Sequence, residues 1–294
     1  MSISSVFSSM SIARHQPAVV LNRRSTINEA IMAMSEKGVR HAIISEDGRK
    51  VDGLLSAKAI LRYIVEQIKS ESEKPGENLN QAFELTAYSI ANKAPITAST
   101  STSVPDLMAI MSKNNIGILP LVDEKGELKA ILSERHLLKL FEENPMFIKV
   151  ADIMSSPAIS LDAKSTIMDA IETMAKHDMR RIPITDEGVL HGVVTILDIL
   201  KFLAVLHAEG AIAEGRHGPL FENNVMKIAS LDPKCIDCGE DLSGAVRKMD
   251  SNHIGSLIVM SDGKPVGIIT ERDFVLKLPK LRSVAFMVNV VLMP

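Results

Sequence analysis

The 294-residue chain contains no tryptophan, and aromatic residues make up 3% of it. A stacking platform for single-stranded nucleic acid is therefore not expected. Lysine and arginine are scattered without a basic block, and the formal net charge is −3. Nothing in that balance invites a polyanion. Two cysteines, Cys235 and Cys238, are too few for a disulfide framework and fit a reducing, cytoplasmic setting. They form a CxxC, but a zinc site needs four ligands and no second CxxC exists, so no metal is expected. No apolar run approaches the roughly 18 residues of a membrane span. The apolar segment Ala285–Met293 is expected to be a terminal strand instead. There is no GxxxxGK[ST] phosphate loop. His136, His177 and His191 are dispersed without a paired nucleophile, so neither catalysis nor a resident cofactor is expected.

What the chain does have is repetition. Four segments read Gly53-Leu-Leu-Ser56, Ala130-Ile-Leu-Ser133, Gly192-Val-Val-Thr195 and Gly267-Ile-Ile-Thr270. Each follows a methionine that closes an amphipathic stretch. Met34 to Ser56 and Met111 to Ser133 span 22 positions, and Met174 to Thr195 and Met249 to Thr270 span 21. A constant internal distance is the mark of a repeated structural unit.

The third copy shows the unit most clearly. Val150 to Met154 is a short helical lead-in, and Ile159–Leu161 is briefly extended. Thr166-x-x-Asp169 has the form of a capping box. Ile167, Ala170, Ile171 and Met174 then recur at helical spacing. Arg180-Arg-Ile-Pro-Ile184 reads as a strand, Thr185–Gly188 as a turn and Val189–Val194 as a second strand. A final helix opens at Thr195-x-x-Asp198. The expected order is β-α-β-β-α, four times over, in an α/β fold. Such units are too small to bury their sheets alone and must pack on one another.

The repeats are placed at about 5–68, 85–142, 149–205 and 222–280. The spacing of the hydroxyl positions, with longer polar segments at Glu66–Asn80 and Ala208–Asn224, predicts two tandem pairs, 1–145 and 146–294. Those two segments read as irregular linkers. Val6-x-x-x-Met10 matches Val150-x-x-x-Met154, so the serine- and arginine-containing N-terminus is expected to belong to the fold.

In these motifs the chain resembles the CBS-domain family, and specifically its four-repeat members, such as the γ subunit of AMP-activated protein kinase and archaeal stand-alone proteins. The carriers are the V-x-x-x-M lead-in, the Arg180–Ile184 strand and Gly-h-h-Thr-x-x-Asp before the last helix. The resemblance implies pseudo-twofold pairs in a disk, with adenine nucleotides or adenosyl ligands in clefts between paired units. It carries the family's ribose-binding carboxylate over to Asp198 and Asp273, with Thr195 and Thr270 beside them. A carboxylate can accept both hydroxyl protons of a ribose in charge-assisted bonds. The same Thr-x-x-Asp pattern is also a helix cap. The first two copies depart from it, with Ala59 and His136 at the carboxylate position. The second pair is thus expected to bind nucleotide, and the first to bind weakly, differently or not at all.

By the same resemblance, phosphates would meet Arg180 and Arg181, and with less support Arg40 and His41. Adenine would sit among Met154, Ile159, Ser160, Ile182, Pro183, Cys235, Leu257 and Ile258, several of which equally suit a core. The implied role is a non-catalytic sensor of AMP, ADP or ATP, acting as a homodimer or on a partner protein. The alternatives are an adaptor that docks an enzyme or transporter without ligand, or a sensor of S-adenosylmethionine or nucleic acid.

Overall fold

Each repeat starts from a cap. Thr26 accepts from the Glu29 amide at 3.2 Å while Glu29 accepts from the Thr26 amide at 3.0 Å. Thr166 and Asp169 repeat this reciprocal pair at 3.1 and 2.7 Å. Ser103 caps the second copy and Asp241 the fourth. Each cap satisfies orphan amides at a helix start. The helices that follow bury the faces expected of them: Ile27, Ala30, Ile31 and Met34 are fully enclosed, and the same holds for Ile167, Ala170 and Ile171.

The computed structural model describes residues 15–70, 77–138 and 146–281. The matched lead-in at Val6–Met10 and the terminal strand expected at Ala285–Met293 lie outside the described residues. The first repeat runs β1 (Val20–Leu21), α1 (Ile27–Glu36), β2 (His41–Ile44), β3 (Gly53–Ser56) and α2 (Ala57–Ser70). Helices α3 (Glu77–Glu84) and α4 (Ala87–Ile90) lead to β4 (Ala98–Ser99), α5 (Val104–Lys113), β5 (Ile118–Val122), β6 (Leu128–Ser133) and α6 (Glu134–Leu138). After α7 (Val150–Ile153) come β7 (Leu161–Asp162), α8 (Ile167–Lys176), β8 (Arg181–Asp186), β9 (Val189–Thr195) and α9 (Ile196–Ala208). Then α10 (His217–Phe221) precedes β10 (Cys235–Asp237), α11 (Leu242–Ser251), β11 (Ser256–Ser261), β12 (Lys264–Thr270), α12 (Glu271–Leu276) and α13 (Leu278–Leu281).

The strands form four three-stranded sheets, β1-β2-β3, β4-β5-β6, β7-β8-β9 and β10-β11-β12. In each, the first strand is parallel to the second and the second antiparallel to the third. The hydroxyl that ends the third strand always faces the start of the second: His41 pairs with Ser56, Ile118 with Ser133, Arg181 with Thr195 and Ser256 with Thr270. Glu187-Gly188 and Asp262-Gly263 both have positive φ, the twist a tight hairpin needs.

The chain packs into two units that are not contiguous. The odd unit holds Pro17–Pro95 and Ile159–Asp232, and so repeats 1 and 3. The even unit holds the described residues of Ile96–Ala158 and Pro233–Pro294, with His15 and Gln16, and so repeats 2 and 4. Each has its own apolar core. In the odd unit Ile31, Met34, Ile60 and Ile64 join Ile171, Met174, Ile199 and Leu203. In the even unit Leu107, Met111 and Leu132 join Val246, Met249, Val259 and Phe274.

Two findings differ from the sequence reading. The segments read as irregular linkers contribute helices α3 and α10, and Phe83 and Phe221 from them are buried in the odd core. Leu79, Ala82 and Phe83 already stand at helical spacing, a signal masked by the charged stretch before them. Secondly, the described lead-in residues cover a sheet of the neighbouring repeat. Ser155 pairs with Ile268, Ser230 with Val193 and Asn92 with Leu54. His15 likewise pairs with Ile131.

That arrangement explains the glycine of the Gly-h-h-Thr motif. A Cβ on Gly267 would lie 2.8 Å from the Met154 sulfur and 2.9 Å from the Ser155 carbonyl oxygen. On Gly192 it would lie 2.9 Å from the Ser230 carbonyl oxygen. Gly267→Ala must push the lead-in off β12. We expect a loss of about 1–3 kcal/mol, the usual cost of overpacking, read as a lower denaturant midpoint. An unchanged midpoint would mean the lead-in yields freely.

Candidate functional site

Strand β8 and the β9–α9 junction put the predicted ribose and phosphate residues of repeat 3 side by side. Arg181 is the direct cross-strand partner of Thr195, and the Arg180 carbonyl accepts from the Ile196 amide at 2.9 Å. Both arginines are half-buried. Thr195 caps α9. Its amide and hydroxyl donate to Asp198 Oδ2 at 2.8 and 2.7 Å, and the Asp198 amide lies 3.4 Å from its Oγ1. The helix cap is thus realised, and both of its bonds to the carboxylate fall on Oδ2. They leave Asp198 Oδ1 with no hydrogen-bond partner among the described residues, on a half-buried side chain. That oxygen is available to a ligand donor.

The fourth repeat has the same cap but a different second oxygen. Asp273 Oδ2 accepts from the Thr270 amide at 2.8 Å and hydroxyl at 2.7 Å. Its Oδ1 lies 3.2 Å from Ser155 Oγ and 2.7 Å from Lys277 Nζ.

The first two copies keep the cap without the carboxylate. In repeat 1 the Ala59 amide donates to Ser56 Oγ at 3.1 Å, with Arg40 and His41 at the start of β2. In repeat 2 the Ser133 amide donates to His136 Nδ1 at 3.2 Å, so the imidazole replaces the carboxylate as cap acceptor. The His136 ring stacks on His15 at 4.0 Å between centroids.

The adenine candidates divide between the units. Ile159, Ser160, Ile182 and Pro183 belong with Asp198, whereas Met154, Cys235, Leu257 and Ile258 belong with Asp273. Ile182 and Leu257 point into the helix-packed cores. Alternation along a strand turns Pro183 and Ile258 to the opposite sheet face, which makes them the better slot candidates. Ile159 and Ser160 precede β7 and are exposed, while Cys235 lies beside Ile258 in register. Cys238 stands where Ala163 does: its amide donates to the Met260 carbonyl at 3.0 Å, as that of Ala163 donates to Thr185 at 2.8 Å.

The sequence reading missed a crossed ion-pair network in the even unit. Glu134 and Glu271 are buried, at 2% exposure each. Arg135 Nε donates to Glu271 Oε1 at 2.9 Å, and Arg272 Nη1 lies 3.5 Å from Glu134 Oε1. Arg135 also donates to the His253 carbonyl at 2.9 Å, and Arg272 to Asn115. Gly255 and Gly117 make room for the two carboxylates: a Cβ would lie 2.6 Å from the Glu271 carboxyl carbon and 3.1 Å from that of Glu134. The odd unit has arginine at those positions, Arg40 and Arg180. Its counterpart link runs from Lys58 to the Asp178 carboxylate at 2.7 Å. Burial pushes the Asp178 carboxyl up, but the hydrogen bond and charge of Lys58, joined by Arg62, hold it below its ordinary range. The signal was present as Glu-Arg after the hydroxyl in repeats 2 and 4 alone.

Comparison with known proteins agrees with this architecture. Among curated relatives, a 33.4 kDa protein in the ribosomal RNA operon of Thermofilum pendens is 26% identical over 279 residues, 94% of this chain and 93% of its own. Protein MJ1225 of Methanocaldococcus jannaschii is 26% identical over 272 residues, 90% and 96% of the two chains. The crystal structure of MJ1225, proposed as an archaeal homolog of g-AMPK, matches with a TM-score of 0.79 at 23% identity, covering 91% of this chain and 98% of that one. A conserved protein from Pyrococcus horikoshii matches at 0.56 and 15% identity, over 90% and 96%. The CBS-domain model matches four times, at residues 10–66, 87–143, 150–205 and 225–280, and the chain therefore belongs to the CBS-domain family.

Proposed function

We propose that this chain is a non-catalytic regulatory module that senses AMP, ADP or ATP, binding nucleotide through ribose on Asp198 and Asp273. The observation that carries the reading is the open Oδ1 of Asp198 beside Thr195, with Arg181 on the adjoining strand and Arg180 just before it. A diol can donate to that carboxylate while a phosphate meets guanidinium, the side chain best shaped for it. In this proposal residues 146–294 form the binding pair and 1–145 the divergent one, where Ala59 and His136 cannot hold a diol. Ile159, Ser160, Pro183, Cys235 and Ile258 flank the base. Arg40 and His41 serve as auxiliary cations. No helix among the described residues is long and apolar enough to cross a membrane, and we place the protein in the cytoplasm, as a homodimer or bound to the protein it regulates.

Thermal melts with AMP, ADP, ATP and S-adenosylmethionine test this. A ligand at 100 times its Kd adds about 2.7 kcal/mol to folded-state stability, so the melting midpoint should rise with at least one of the three nucleotides. A rise with S-adenosylmethionine alone would redirect the assignment to an adenosyl sensor. No rise with any of them would favour an adaptor, a reading to which the internally paired Asp273 lends some weight.

A further inference from the structure

We infer that Lys277 is a built-in occupant of the fourth repeat's carboxylate, so that the chain loads nucleotide on Asp198 and keeps Asp273 closed until the lysine is displaced. The inference rests on the ribose reading above.

Three observations support it. First, both Asp273 oxygens are already used: Oδ2 by Thr270, and Oδ1 by Lys277 at 2.7 Å and Ser155 at 3.2 Å. Second, the lysine has strong local reasons to stay. Its Nζ also lies 2.9 Å from the Ile153 carbonyl, 3.1 Å from that of Met154 and 3.0 Å from Ser155 Oγ. Four acceptors surround an ammonium with three protons, so every proton is satisfied. Two of them are carbonyls at the end of α7, where a cation is favoured. The Asp273 side chain is 7% exposed and that of Lys277 39%, so the pair is buried on its carboxylate side and open to water on its lysine side. Neutral hydroxyls would have to displace a charge that is already fully bonded.

Third, the matching place in repeat 3 lacks the device. Four residues beyond Asp198 stands Phe202, as Lys277 stands four beyond Asp273. Ser230 pairs with Val193 just as Ser155 pairs with Ile268, yet Thr195 is the one partner of the Asp198 carboxylate among the described residues. The two sites share cap, glycine and covering lead-in; the fourth has Lys277 on its carboxylate, and the third has Arg180 and Arg181 where the fourth has Gly255 and Ser256.

The test uses the full chain and AMP in a calorimetric titration. Wild type should bind one AMP, lost in Asp198→Ala. Lys277→Met should bind two, and Lys277→Arg, which keeps the cation, should stay at one. An Asp198→Ala chain that still takes AMP, and loses it on adding Asp273→Asn, overturns the closure while the ribose reading stands. A folded Lys277→Met chain that remains at one AMP overturns it too. Should Lys277→Met fail to fold by circular dichroism, the Asp198→Ala titration decides alone. AMP binding absent from wild type and every variant removes the ribose reading, and the inference with it.

Discussion

Asp198→Ala should weaken AMP binding by about 100-fold or more. A hydrogen bond to a charged group contributes roughly 1.5–3 kcal/mol, and a ribose diol donates two to the same carboxylate. Losing about 3 kcal/mol corresponds to roughly 100-fold in Kd. The substitution also removes half of the cap on α9, because Oδ2 accepts from the Thr195 amide and hydroxyl. That costs on the order of 1 kcal/mol of stability. Asp198→Asn separates the two roles. Its carbonyl oxygen can still accept from Thr195 while the charge is gone. The asparagine chain should therefore melt close to wild type yet bind AMP about tenfold or more weakly. Titration calorimetry reads the affinity and a denaturant curve the stability. If alanine lowers the melting midpoint but leaves Kd within twofold, Asp198 is a helix cap and nothing more.

Arg135→Met should destabilise the even unit by about 1–3 kcal/mol, the usual cost of taking a hydrogen-bond partner from a buried charged group. The carboxylate of this pair is buried while its arginine is half-exposed, so removing the arginine takes a partner from a charge held in low dielectric. The carboxylate that loses this partner is Glu271, whose side chain is 3% exposed. The loss of the bond to the His253 carbonyl adds to the cost. Arg272→Met should cost less, because its contact with Glu134 is longer, at 3.5 Å. Arg135→Met with Glu271→Met should recover most of the loss, since an apolar pair of similar volume can match a buried ion pair. Chemical denaturation of the two single variants and the double gives the coupling energy. A double variant as unstable as the sum of the singles would show that the carboxylate matters for its shape and not for its charge.

Much of this architecture is legible in the sequence, because the same period is written four times. The apolar quartet ending in Met174 and the capping box at Thr166 are local signals, and local signals survive into the fold. The Thr195–Asp198 junction is legible for the same reason, since cap and candidate anchor fall within one turn. Lys277 was not: nothing in i,i+4 spacing reveals that Ser155, over a hundred positions earlier, shares its ammonium. Nor did a strand pattern distinguish Ile182, which faces the core, from Pro183, which does not, because that run is apolar at both positions. The Glu-Arg pairs carry no sign of burial in the sequence, because the glycines that face their carboxylates lie on another strand.

The out-of-step lead-ins and alternating units also govern how the chain can come into being. The odd core needs Ile31 and Ile199, and the even core needs Leu107 and Phe274. Each core therefore joins segments distant in sequence, which raises contact order and slows folding. A ribosome delivering roughly 5–20 residues per second must run on to the third and fourth repeats before either core can close. Until then the first two repeats emerge as half-cores with apolar helix faces waiting for partners, a state that favours chaperone capture. A cut at the midpoint would not yield two small stable proteins; it would leave four repeats each missing the neighbour that its helices were built to cover.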